Sequence, residues 1–220
     1  HPRDYVIKSD VTMHMGFDSG QFFGGYPSDI LGTITTMRQV MYDVMRYAEW
    51  QARWQANPGM QRPKTNDALA ALVLAHAEPA SPVFHSTSLR QIEAAIRLAD
   101  EFGGQAVVLG TGNEYEMLPR LEGTGVTVLV TLDFPEEPDV SSDERLPRVS
   151  LQSLRRWENA AANAGALEAA RIRFALTPYG MGNVGKFTDN VRKAIEAGLT
   201  ADAALAALTT TPADLYGVAD

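Results

Sequence analysis

Residues able to do chemistry are few in this chain and lie in short runs. His85 stands at the end of an apolar run, in Pro-Val-Phe-His-Ser-Thr, and His14 sits between Met13 and Met15. An imidazole at a strand end can carry a proton near neutral pH or ligate a metal, whereas one between two methionines reads first as a core or lining group. Glu114, Glu116, Asp133 and Asp189 fall in loops or near strand ends and are candidate carboxylate donors, although their spacing singles out none of them. Gly110-Thr111-Gly112, between a strand and a helix, supplies the first two glycines of a dinucleotide fingerprint, with Asp133 ending the next strand as a candidate ribose ligand. Tyr115 holds the third glycine position, where its ring obstructs close helix–strand packing. Phe22, Phe23 and Tyr26 share a loop with Gly20, Gly24 and Gly25 and are candidates either to line a small-molecule pocket or to anchor the loop. The chain has no cysteine, so any metal site has to be built from His, Asp or Glu.

The elements that must position these groups alternate between strand and helix. Residues 1–28 read as an extended segment around Tyr5, Val6 and Ile7 followed by the glycine and aromatic loop. Residues 29–80 read as helical: Ser28 as cap and Asp29 at the positive end of a long helix to Ala56, then a short apolar helix from Asn66 to Ala77. Ile34, Met37, Met41, Val44 and Ala48 recur at steps of three and four, which is one buried stripe, and Arg38, Asp43, Arg46, Glu49 and Arg53 form a solvated far face. Residues 81–220 read as four βα units, with strands at Pro82–His85, Gln105–Leu109, Val126–Leu132 and Arg173–Thr177. Helices span Leu89–Phe102, Tyr115–Leu121, Ser150–Ala170 and Phe187–Ala197. The last of these stops at Gly198, and two short helices follow, capped by Thr200 and Thr211 and closed by Gly217. Strands separated by helices pair in parallel, and α/β folds keep their sites just beyond the carboxyl ends of such strands. Chemistry is therefore expected after Phe84, Leu109, Leu132 and Leu176.

At 220 residues the chain can bury a full core as one domain or a large part of one. A net charge of −8 and a pI near 5.0 argue against binding to nucleic acid or anionic membrane through a basic surface. The longest apolar run, Ala68–Ala75, is too short to cross a bilayer. The opening at His1, running straight into an apparent strand, reads as an excised segment.

The closing stretch of residues 173–220 has a strand FAL, a glycine-rich loop, a helix ending in AGL, then ALAALT and TPADLYGV. This order resembles the C-terminal end of the catalytic barrel in the metal-dependent amidohydrolase superfamily, imidazolonepropionase-like branch. GGYPSDILGTITTMRQVMYD, residues 24–43, is similar to a stretch that precedes the fifth strand in a subgroup of that family. The resemblance implies a (β/α)8 TIM-barrel type, seen as a partial barrel of strands five to eight plus an upstream helical segment. It implies hydrolysis of a non-peptide carbon–nitrogen bond, in a cyclic amide or related small substrate, by water activated on a divalent metal, zinc first among them. The family's ligands are a His-x-His pair on the first strand, a His from each of strands five and six, and an Asp after strand eight. His85 matches the strand-five ligand, while Thr111 stands where the strand-six His would be and Tyr179 where the Asp would be. The first four strands and their His-x-His are expected to lie in a missing N-terminal half. Two alternatives stay open: a catalytically inactive barrel that binds a small molecule or a partner, and a dinucleotide-binding domain. Four strands leave unpaired edges, so the isolated chain is expected to self-associate or be unstable, with a homo-oligomer among the outcomes.

Overall fold

A computed structural model describes residues 8, 11–17, 27–77, 82–140 and 149–219. The described strands form one parallel sheet in sequence order: β1 (His14–Gly16), β2 (Val83–His85), β3 (Val107–Leu109), β4 (Thr127–Thr131) and β5 (Arg173–Thr177). The sequence reading expected four strands. The fifth is His14–Gly16, overlapping the Met13-His14-Met15 cluster, which pairs Gly16 with His85 and so joins β2 as a ladder neighbour. A three-residue strand shows no alternation to read, and its partner lies far along the chain. The extended piece expected around Tyr5–Ile7 lies outside the described residues.

Helices fill the connections: α1 (Ile30–Ala56), α2 (Asp67–Ala77), α3 (Leu89–Glu101), α4 (Leu118–Leu121), α5 (Leu151–Asn159), α6 (Asn163–Ala169), α7 (Phe187–Glu196), α8 (Ala201–Leu208) and α9 (Thr210–Tyr216). Because side chains alternate along a strand, the sheet sorts its residues by parity. Phe84, Val108, Val128, Val130, Phe174 and Leu176 belong to the main hydrophobic core, together with Ile92, Ala95, Leu98 and Ala99 of α3 and Leu167 of α6. The opposite parity carries His14, His85, Leu109, Thr131 and Thr177.

Local chemistry explains most helix ends. Asp29, rather than Ser28, caps α1, its Oδ1 accepting from Gly32 N–H at 2.8 Å. Met41 and Val44 of the expected stripe are buried with Thr33 and Tyr47. Arg38 of the expected solvated face is instead docked: its Nε donates to Glu101 of α3 at 2.7 Å, where Tyr42 Oη also donates at 3.1 Å. Thr200 caps α8 as expected. The last helix begins two residues earlier than its Thr-Pro signal implied, at Thr210 with Thr209 before it, and closes on Gly217 in the left-handed region at φ 63°.

The joint between α6 and the α7–α8 turn is closer than any side chain allows. A Cβ on Gly165 would lie 2.9 Å from the Gly198 carbonyl carbon and the Leu199 nitrogen, both backbone. Gly165→Ala should therefore lower stability by about 1–3 kcal/mol in urea titration. Gly182→Ala, where nothing lies within 4 Å, should change it by no more than about 0.5 kcal/mol.

Candidate functional site

The parallel register brings residues from four strand ends to one cavity of about 240 Å³. His85 and Ser86–Thr87 come from the end of β2, Leu109–Thr111 from β3, Thr131 and Asp133 from β4, and Tyr179–Gly180 from β5, with Arg156 of α5 at the side. His14 reaches His85 from β1: its Nδ1 lies 2.7 Å from His85 Nε2, and its Nε2 lies 2.9 Å from Thr12 Oγ1. One proton can lie between the two facing nitrogens, so the pair is a hydrogen-bonded imidazole couple rather than two independent bases. The Tyr179 ring meets His85 edge-on, with centroids 5.5 Å apart at 78°. Burial first, then repulsion from His85, holds the His14 pKa below its ordinary value of 6.5.

The floor of the cavity is held by a carboxylate with no solvent exposure. Glu114 Oε1 accepts from both the backbone N–H and the hydroxyl of Thr111, and Glu114 Oε2 accepts from Asn163 Nδ2 of α6 at 2.7 Å. Asn163 Oδ1 in turn accepts from Tyr115 N–H at 2.9 Å. The carboxylate is thus fully engaged, which is what its burial demands. It also explains Gly110, since a Cβ there would sit 2.9 Å from Glu114 Oε1 and 3.1 Å from Val128 Cγ1.

Each residue expected from the sequence can now be placed. His85, Thr111, Tyr179 and Asp133 all line the cavity. Glu114 lies beneath it as a structural anchor. Glu116 pairs with the Tyr115 hydroxyl, and Asp189 pairs with Arg192 in the first turn of α7; neither lines the cavity. His14, read as a core or lining residue, is not in the cavity lining but hydrogen-bonds His85, which is. Phe22, Phe23 and Tyr26 lie outside the described residues. Sequence reasoning missed Arg156, Ser86 and Thr87. The Ser86-Thr87 pair directly follows the flagged histidine, a signal that was present, whereas Arg156 sits in a helix whose neighbours Arg155 and Glu158 are equally charged.

The dinucleotide reading meets two obstacles. Strand order runs from β1 to β5 without reversal, so there is no switch-point crevice among the described strands. The Thr111 N–H, which would have to face a phosphate, donates to Glu114 instead. As for a metal, no group of three or more His, Asp or Glu converges among the described residues. His14 and His85 offer two imidazoles already bonded to each other, and Thr111 and Tyr179 are neutral. This donor set falls short of the three protein ligands a catalytic zinc normally takes.

No protein-family model matches the chain, and no curated protein does. The amidohydrolase from Thermotoga maritima MSB8 superposes with a TM-score of 0.76 at 20% identity, over 99% of this chain and 55% of that one. The fold is amidohydrolase-like, and the chain spans about half the length of that neighbour.

The lowered His14 pKa sets a pH dependence. The unfolded chain binds the His14 proton below about pH 6.5 and the folded chain resists it, so stability should fall as pH drops through 6.5 and level off once pH is below the folded value. Urea midpoints measured from about pH 8 to about pH 5 should show that slope, and His14→Gln should flatten it.

Proposed function

We propose that this chain is the later part of an amidohydrolase-like β/α barrel whose full protein hydrolyses a non-peptide carbon–nitrogen bond in a small substrate, such as a cyclic amide. The observation that carries the reading is the meeting of His14, from the start of β1, with His85 and Tyr179 at the carboxyl ends of β2 and β5, in a fold shared with a solved amidohydrolase. In such folds the strand ends are where substrates bind and react.

The chemistry proposed for these residues is proton transfer. The depressed His14 pKa keeps that imidazole neutral near pH 7, so the hydrogen-bonded couple can accept a proton from an attacking water. Water oxygen forms a bond to the carbonyl carbon, the couple takes its proton, and the same proton is delivered to the departing nitrogen as the carbon–nitrogen bond breaks. Thr12 orients His14, and the Tyr179 edge holds His85 in place. A divalent metal, zinc by the preference of imidazole donors, enters this proposal only with further ligands from outside the described residues, such as the other barrel half, and no step is drawn through it.

A second reading is favoured by one observation. Thr111 is tied to Glu114 and Tyr179 is neutral at the two positions where the family resemblance calls for ligands, which suits a barrel that binds a small molecule without cleaving it.

The full-length protein, supplied with divalent metal and a panel of cyclic and acyclic amides, separates the two. Hydrolysis that falls by about 100-fold or more in His85→Ala supports the first. Saturable binding with no turnover in either protein supports the second and sinks the first.

A further inference from the structure

Among the described residues, Arg156 in the cavity lining forms no ion pair with a carboxylate. It lies on the exposed face of α5, and its one hydrogen bond among the described residues runs from Nη2 to the Thr111 carbonyl, 3.5 Å away at the edge of hydrogen-bond range. Unlike Arg155 beside it, equally unpaired among the described residues, it lines the cavity. A second orphan lies in the same lining. Ser86 is 7% exposed, and its Oγ is buried with no hydrogen-bond partner among the described residues. A buried hydroxyl without a partner costs free energy in the empty site and regains it when a ligand supplies one. Its neighbour Thr87 is already committed, giving both N–H and hydroxyl to Gln91 Oε1.

We infer that Arg156 and Ser86 form a subsite for a carboxylate, so that the ligand of this cavity is a small monoanionic acid such as an N-acyl amino acid. A guanidinium fork matches a planar carboxylate, and an unpaired Arg in a concave site is an anion receptor. Asp133 in the same lining selects against a doubly charged phosphate, because a second negative charge close to a carboxylate is repelled. At about 240 Å³ the cavity is smaller than the roughly 300–1,000 Å³ of drug-sized sites, which restricts the ligand to amino-acid scale. As a statement about substrate this rests on the hydrolase reading; as a statement about binding it stands without it.

The test uses equilibrium binding by the full chain, so that it does not depend on turnover. The probes are N-acetylglycine, its uncharged N-methylamide and inorganic phosphate, each followed by calorimetry and by the Ser86 amide signal in NMR. N-acetylglycine should bind in preference to both others. Arg156→Met, an exposed substitution checked by an unchanged melting curve, should weaken it on the order of 10- to 100-fold, while Arg155→Met leaves it unchanged. Ser86→Ala should weaken it less, and Asp133→Asn should narrow the preference over phosphate. Equal binding of the acid and the amide, retention of affinity in Arg156→Met, tighter binding of phosphate, or no saturable binding of any probe would each overturn the inference. Acid binding without hydrolysis of any amide would leave it standing and remove only the hydrolase reading.

Discussion

Parallel register is the constraint on which the rest of this structure depends. With Gly16 opposite His85, and His85 opposite Leu109, every strand delivers its carboxyl end to one level. Side chains alternate with period two, so a slip of one residue in β2 would turn His85 into the core and bring Phe84 out to face His14. Phe84 is 2% exposed and packs in the main core, and that burial fixes the register. The 2.7 Å contact between His14 and His85 is a consequence of where Phe84 is buried.

A second constraint acts at β3. A carboxylate can be buried without exposure only when its lone pairs are answered, and Glu114 is answered from two directions by the Thr111 loop and by Asn163 of α6. The exit of β3 is thereby tied to a helix that follows β4, and Gly110 is the residue that leaves room for the carboxylate. The cavity floor is rigid as a result, while Arg156, Asp133 and Tyr179 around its edge are exposed. A fully hydrogen-bonded polar floor with exposed polar groups around its edge suits recognition of a small polar molecule.

The fold was legible in the sequence wherever the signal was local. Thr200 and Gly217 announce helix ends through side-chain capping and left-handed backbone, and the apolar runs of β3, β4 and β5 are short, buried and bounded by turns. β1 was not legible as a strand, because His-Met-Gly is a strand only by virtue of Val83, Phe84 and His85 far along the chain. The same distinction governs the site. His85 was found from its place at a strand end, but its bond to His14 is a tertiary fact. Thr111 was noted for the ligand it is not, and its actual role, donating twice to Glu114, follows from a buried acid that no spacing rule identifies. Arg156 is one of several charged residues on a helix whose exposed face looks uniform in sequence.

The imidazole couple carries the site, and nitrogen-15 NMR of the two rings in the full chain tests it most directly. A coupling across the N–H···N bond is expected between His14 Nδ1 and His85 Nε2, with His14 titrating below its ordinary 6.5 and shifting the His85 signals as it does. Two rings that show no such coupling and titrate independently, each near about 6.5, would mean that β1 does not pair with β2 in this register and that the strand ends do not form this site.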